Sequence, residues 1–177
     1  MAVNSVLQAQ PHALKGQALE FHVTSEPWVK YRLEDGTLLF ARLIITKIIR
    51  TEEYDQSGQP IYAWSSQHMF TTICSLELKG QPSTIPISPT DLNSLKTTPM
   101  DLERIGPEEW NVYEISDGSV LRIKLEVTGV AKTDKFVSDG DPFYIVNCQP
   151  IPRIKVPTGL LNRQVTKVDT ERRALYG

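Results

Sequence analysis

The sequence predicts an all-β protein made by tandem duplication of a small strand unit, and three observations carry that prediction. First, one segment occurs twice at an offset of 82 residues without a gap. Trp28 falls on Trp110, Tyr31 on Tyr113, Asp35-Gly36 on Asp117-Gly118, Leu39 on Leu121, Leu43 on Leu125, Thr46 on Thr128 and Thr51 on Thr133. Gly58, Pro60, Tyr62 and Gln67 then fall on Gly140, Pro142, Tyr144 and Gln149, making twelve identities over the 42 positions 28–69. Second, the repeated segments alternate apolar and polar residues with the period of two that a strand imposes on its faces. Third, each copy carries an Asp-Gly pair between alternating runs, the strongest short-range hairpin signal, because Gly takes φ > 0 at no steric cost and Asp tolerates it. The period exceeds the 20–50 residues of solenoid and propeller units, so each copy is expected to be a small domain or half of one closed sheet.

Each copy reads as three strands and two turns. The first strand, Trp28 to Leu33, sets Val29, Tyr31 and Leu33 against Lys30 and Arg32, and its counterpart puts Tyr113 and Ile115 on the same face. The second strand is long, Thr37 to Arg50 and Ser119 to Lys132. The second turn holds Gly58 or Gly140, and Pro60 or Pro142 opens the third strand, where a missing N–H is tolerated. Upstream, Ala18 to Thr24 alternates Leu19, Phe21 and Val23 and is expected to add one strand. The connector between the copies is rich in Pro, Ser and Thr, with one short helical or 3₁₀ turn over Ser88 to Leu95. The expected organisation is an arm (1–17), a first β repeat (18–78), a connector (79–107), a second β repeat (108–157) and a tail from Thr158 that departs from the repeat (158–177). The two repeats are expected as three-to-five-stranded barrels or meanders packed together, with two meanders closing one sheet as the other arrangement.

Composition sets bounds on function. At 177 residues, 40% hydrophobic and 23% charged, the chain is an ordinary globular protein. A net charge of −2 argues against indiscriminate binding to nucleic acid. The N-terminus lacks a basic region followed by an apolar core, and the run from Leu38 to Ile49, broken by Arg42 and Lys47, is too short to span a bilayer. A cytoplasmic location and no membrane partner are therefore expected. Cys74 and Cys148 sit one per copy at non-equivalent positions. A disulfide between them stays open, with reduced, buried thiols the commoner arrangement for such a chain.

The copies differ most along the outer side of the long strand. In copy two, Leu121, Ile123, Leu125 and Val127 alternate with Arg122, Lys124, Glu126 and Thr128, which gives one wet face. In copy one the inner set is Leu39, Ala41, Leu43 and Ile45, while the outer set is Leu38, Phe40, Arg42, Ile44, Thr46 and Ile48. Burying a large apolar side chain is worth about 1.5–3 kcal/mol, so leaving Phe40, Ile44 and Ile48 in water would create an adhesive patch. Its cover is either the rest of the chain or another subunit.

Chemistry-bearing constellations are sparse. His12, His22 and His68 show no metal-ligand spacing, and no nucleophile elbow, P-loop or dinucleotide fingerprint occurs. No catalytic residue, metal or cofactor is expected. His68, placed near Cys74, reads as a half-buried histidine at a strand end. Asp35 and Asp117 are explained by their turns. Of the repeated pairs Trp28/Tyr31 and Trp110/Tyr113, the tyrosines are expected in the core and the tryptophans over a rim, with stacking on a base, sugar or peptide as the use of an exposed ring. The tail carries Arg163, Lys167, Arg172 and Arg173 beside Leu160, Leu161, Val165, Val168, Leu175 and Tyr176. It reads as a docking segment or as a disordered tail.

Over about the central fifty residues of each copy, this order of strand, Asp-Gly, long bent strand and third strand resembles the small-barrel families, Sm-like and SH3-like. The resemblance implies barrel-like repeats. The Sm-like RNA signatures, an acidic residue followed by Asn in one loop and an Arg-Gly pair in a later one, are missing, since Tyr54-Asp55-Gln56-Ser57 has no Asn and the chain has no Arg-Gly. None of that family's binding residues is carried over.

The sequence thus points to a non-catalytic assembly or accessory subunit, in a homo-oligomer or larger complex, with Leu38, Phe40, Ile44, Ile48, Leu160, Leu161, Leu175 and Tyr176 as candidate interface residues. One alternative is a nucleic-acid-binding module with Arg42, Lys47, Arg50, Lys124 and Lys132 lining a groove. The other is an enzyme with its site between the copies, around Tyr62, Trp64 and His68.

Overall fold

A computed structural model of the chain describes residues 15–84 and 92–162. These form ten strands: β1 (Gly16–Leu19), β2 (Phe21–Ser25), β3 (Val29–Leu33), β4 (Leu38–Tyr54), β5 (Pro60–Ile73), β6 (Thr97–Met100), β7 (Leu102–Ile105), β8 (Asn111–Ile115), β9 (Val120–Phe136) and β10 (Pro142–Lys155). They build two five-stranded antiparallel sheets with almost no helix. In the first sheet β4 pairs β5 along one side and both β3 and β1 along the other, and β7 adds to β3. In the second, β9 pairs β10 on one side and both β8 and β6 on the other, and β2 adds to β8. Among the described residues no ladder joins the ends of either sheet.

The strands before each Trp do not stay in one sheet. Where the alternation predicts one strand over Ala18 to Thr24, there are two, and they belong to different sheets. The chain leaves β1 in the first sheet at Leu19 and enters the second as β2 at Phe21; it leaves β6 in the second sheet at Met100 and enters the first as β7 at Leu102. The carbonyls of the single residues between, Glu20 and Asp101, accept from the N–H groups of Ser116 and Glu34 in the opposite turns. Each sheet is therefore completed by a strand drawn from the other side of the molecule. Period-two alternation is blind to this, because it reports which residues face inward and not which sheet they join.

Both long strands carry a β-bulge at the same place. Ile45 pairs with Ser66 and Lys47 with Ser65, which leaves Thr46 as the extra residue; Val127 pairs with Cys148 and Gly129 with Asn147, which leaves Thr128. One extra residue inverts the facing of everything after it. Ile48, expected on the outer side, is for that reason completely buried, as is its counterpart Val130 at 4% exposure. The backbone N–H groups beside the bulges, on Ile45 and Val127, donate to the hydroxyls of Tyr113 and Tyr31 from the opposite sheet. Tyr31 and Tyr113 are buried, as the alternation predicts.

The inward faces of the two sheets share one apolar core, with Leu33, Leu39, Leu43 and Ile48 from one side and Leu121, Ile123, Leu125 and Val146 from the other. After β5 and after β10 the chain makes a 3₁₀ turn, at Leu76–Leu78 and Thr158–Leu160. The N–H of Gly80 then donates to the Gly140 carbonyl, and that of Asn162 to the Gly58 carbonyl. Both receiving glycines have positive φ, and a Cβ on Gly58 would stand 2.6 Å from the Asn162 oxygen. Residues 158–162, expected to depart from the repeat, thus follow the path of 76–80. The predicted connector turn is a 3₁₀ turn at Leu92–Ser94, and the rest of that segment up to Asp91 lies outside the described residues.

Candidate interaction surfaces and the sheet junction

Each Asp-Gly turn is tied to the opposite sheet by a tyrosine of the third strand. Asp35 Oδ1 caps the Thr37 N–H at 3.1 Å, and its Oδ2 accepts from the Tyr144 hydroxyl at 2.8 Å and from Lys132 Nζ at 2.9 Å. Asp117 Oδ1 caps the Ser119 N–H at 3.0 Å, and its Oδ2 accepts from the Tyr62 hydroxyl at 2.7 Å and from Arg50 at 3.1 Å. The hydroxyls of Thr37 and Ser119 complete the two clusters at 2.9 and 2.8 Å from the tyrosine oxygens. Burial pushes both carboxyl groups up, but the hydrogen bonds from Lys132, Tyr144 and Thr37, and from Tyr62 and Ser119, outweigh it and hold both below the ordinary carboxylate value. Burial raises both tyrosines, Tyr62 to about 12. The turn residues are thus also the bolts between the sheets, a role the sequence does not show because the partner tyrosines lie 109 and 55 residues away.

A pocket of about 220 Å³ opens beside one bolt, lined by Tyr62, Trp64, Ile61 and Pro60 from the first sheet, Asp55 and Gln59 from its turn, and Leu121, Pro152 and Ile154 from the second. It is the place where Tyr62 and Trp64 meet the other half. At the opposite end Phe143 and Val146 take the positions of Ile61 and Trp64 and are buried, at 2% and 1% exposure against 39% for Ile61. His68 lies on the same strand but faces a different thiol from the one expected. Its Nδ1 is 3.5 Å from the Sγ of Cys148, because β5 and β10 approach each other across the junction. Cys74 instead donates to Asp141. Burial holds the His68 imidazole below its ordinary value, and burial with the Asp141 contact pushes the Cys74 thiol up, away from the thiolate form. Neither cysteine is in a disulfide, and both are half-buried. Among the described residues no three His, Cys, Asp or Glu side chains are grouped to hold a metal ion, and no helix is long and apolar enough to cross a membrane.

The basic residues expected to line a nucleic-acid groove are mostly paired. Arg42 bonds Glu26, Arg50 bonds Asp117, Lys132 bonds Asp35 and Lys124 bonds Glu108. Sequence order hides these carboxylates: Asp35 and Asp117 come from turns of the opposite sheet, and Glu26 and Glu108 from the segments just before β3 and β8.

The outer faces of the sheets differ as their compositions predict. In the first sheet, Leu38, Phe40 and Ile44 are half-buried on the face that β5 extends with Ile73, Thr71, Met69 and Gln67. Met69 is 46% exposed and Ile73 59%, and Leu76, just past the end of β5, is 83% exposed. These three residues lie outside the long strand, and only its register brings Met69 and Ile73 beside Arg42 and Leu38. Lys30 Nζ stands 5.7 Å from the Phe40 ring centre. In the second sheet the matching positions are Val120, Arg122, Lys124 and Glu126 on β9 and Lys155, Arg153, Ile151 and Gln149 on β10. Trp28 and Trp110 are half-buried at the start of each meander, where Arg42 lies over Trp28, and Arg122, Lys124 and Arg153 gather around Trp110. Both rings thus lie in contact with cations of their own sheet. Leu160 and Leu161 are half-buried next to Asn162, whose N–H donates to the Gly58 carbonyl in the first sheet's β4–β5 turn, and Leu175 and Tyr176, like His12, lie outside the described residues.

Compared with known proteins, this chain matches no family model, no curated protein and no solved structure.

Proposed function

We propose that the protein is a non-catalytic assembly or accessory subunit whose contact surface is the outer face of the first sheet. The observation that carries this reading is the substitution of one face for the other at matched positions. Phe40, Ile44 and Ile73 stand where the second sheet has Arg122, Glu126 and Lys155, and the two flanking residues Met69 and Ile73 are largely solvent-exposed. A sheet that tolerates charge at these positions in one half has no internal need for apolar residues there in the other. A partly exposed face this rich in apolar residues, set around Arg42, Thr71 and Gln67, is characteristic of protein interfaces. Kinship of each half with small-barrel folds is part of this reading and is supported by the β3–β4–β5 meander with its Asp-Gly turn. The occupant fitting the patch is another protein chain, a second copy or a different subunit.

The test is light scattering coupled to size exclusion on the wild type and on Phe40→Arg, the residue present at the matching position of the second sheet. The expected result is an oligomer that the substitution dissociates while the fold, read by circular dichroism and melting temperature, is retained. A monomeric wild type that pulls down no protein partner, together with a Phe40→Arg variant that unfolds, would overturn the reading and make the patch part of the core.

A further inference from the structure

The outer face of the second sheet carries an arrangement that the assembly reading leaves unused. Arg122 on β9 and Arg153 on β10 are direct cross-strand partners. Both are exposed, and both guanidinium groups stand over the ring of Trp110, at 5.4 and 4.8 Å from its centre. Lys155 lies one position further along the same face of β10. Among the described residues none of these three cations takes part in an ion pair. Glu108, the carboxylate that feels Arg153 at longer range, is engaged by Lys124. Like charges placed directly opposite each other on a sheet are destabilising. The fold does not require them, because the matching pair in the first sheet is Phe40 opposite Thr71. Trp110 offsets part of the repulsion and fixes where the guanidiniums lie.

We propose that Arg122 and Arg153, held on Trp110 and assisted by Lys155, form a binding site for a phosphate group. The choice of phosphate over carboxylate follows from oxygen count. One arginine fork spans both oxygens of a carboxylate, whereas a phosphate offers more charge and further oxygens to a second planar fork. Arginine is suited to this role because its guanidinium is weakly hydrated and always charged. The ligand neutralises the repulsion that the empty face carries, so binding and stabilisation of the sheet are the same event.

The experiment is a titration of the full chain with inorganic phosphate at constant ionic strength set by chloride, followed through the Trp110 indole N–H resonance, which Trp110→Phe identifies. A saturable shift is expected, weakened by about tenfold in Arg122→Gln or Arg153→Gln and lost in the double variant. Melting temperature supplies a second readout: wild type rises with phosphate, while the double variant starts no lower than wild type and does not respond. Should the double variant fail to fold, Arg153→Thr, which copies Thr71 of the first sheet, carries the test alone. A shift that chloride reproduces, or that survives loss of both arginines, overturns the site. So does a glutamate-rich peptide that saturates the Trp110 shift where phosphate does not, which would identify the face as a contact for an acidic protein.

Discussion

The inward faces of the two sheets agree position by position, while their outward faces disagree in chemistry. Inside, Leu39 matches Leu121, Leu43 matches Leu125, Ile48 matches Val130 and Tyr31 matches Tyr113, and all are buried in one core. Outside, Phe40 corresponds to Arg122, Ile44 to Glu126, Thr71 to Arg153 and Ile73 to Lys155 at matched register. The inner positions are held alike because each sheet is packed on the other, and a change of volume on one side strains both. The outer positions carry no such mutual constraint. They form an apolar face on one side and a largely cationic face on the other, and the proposed function rests on that difference.

The boundary between inside and outside is set by the bulge, and the largest effect is expected where it is tested. Ile48→Ala should cost about 2–5 kcal/mol in urea unfolding, because it opens a cavity in the shared core. Phe40→Ala, on the outward side of the same strand before the bulge, should change the stability of the isolated chain much less. Equal costs at the two positions would break the comparison.

The bolts come next. Tyr144→Phe leaves Asp35 and Thr37 facing an apolar ring edge and should cost about 1–3 kcal/mol. Tyr62→Phe should cost less, since Tyr62 borders the open pocket, where water can replace the hydroxyl, whereas Tyr144 is sealed at 1% exposure. Chemical denaturation of the two single variants measures the difference, and identical losses would mean that the pocket end is as dry as the closed one.

The smallest effect is on acid stability. Asp35 and Asp117 have folded-state values below their unfolded ones. Their stabilisation is therefore complete above the unfolded value of about 4 and is lost as pH falls through the lower, folded values. Wild type should lose stability steadily below about pH 4. The Asp35→Asn and Asp117→Asn variants should be less stable at neutral pH and show a flatter acid limb, because each removes one such group. An unchanged slope in both variants would assign the acid response to other carboxylates.

Much of this was legible in advance. The offset of 82 residues located both meanders, the Asp-Gly turns and the Pro that opens each third strand, because these are local features written in turn chemistry and period-two alternation. Phe40 and Ile44 were readable as an outer apolar set for the same reason. Ile48 was misplaced because a bulge is one residue of register, and Thr46 looks like any strand residue until its partner strand is known. His68 was set beside Cys74, its neighbour in sequence, and meets Cys148 instead, because proximity across a sheet junction is not a matter of sequence distance. The single expected strand near Leu19 and Phe21 is two strands in two sheets, since only Glu20 marks the crossing.

By itself the sequence determined the all-β class, the matched strand units and the inward-facing residues as far as the bulges, since alternation and turn propensity act within a few residues of each other. Only the tertiary structure decided which sheet each short strand completes, that Tyr62 and Tyr144 fasten the opposite turns, and that Arg122 and Arg153 stand side by side on Trp110. These depend on register and on pairing between segments tens of residues apart, where the free energy lies in packing that no local pattern encodes.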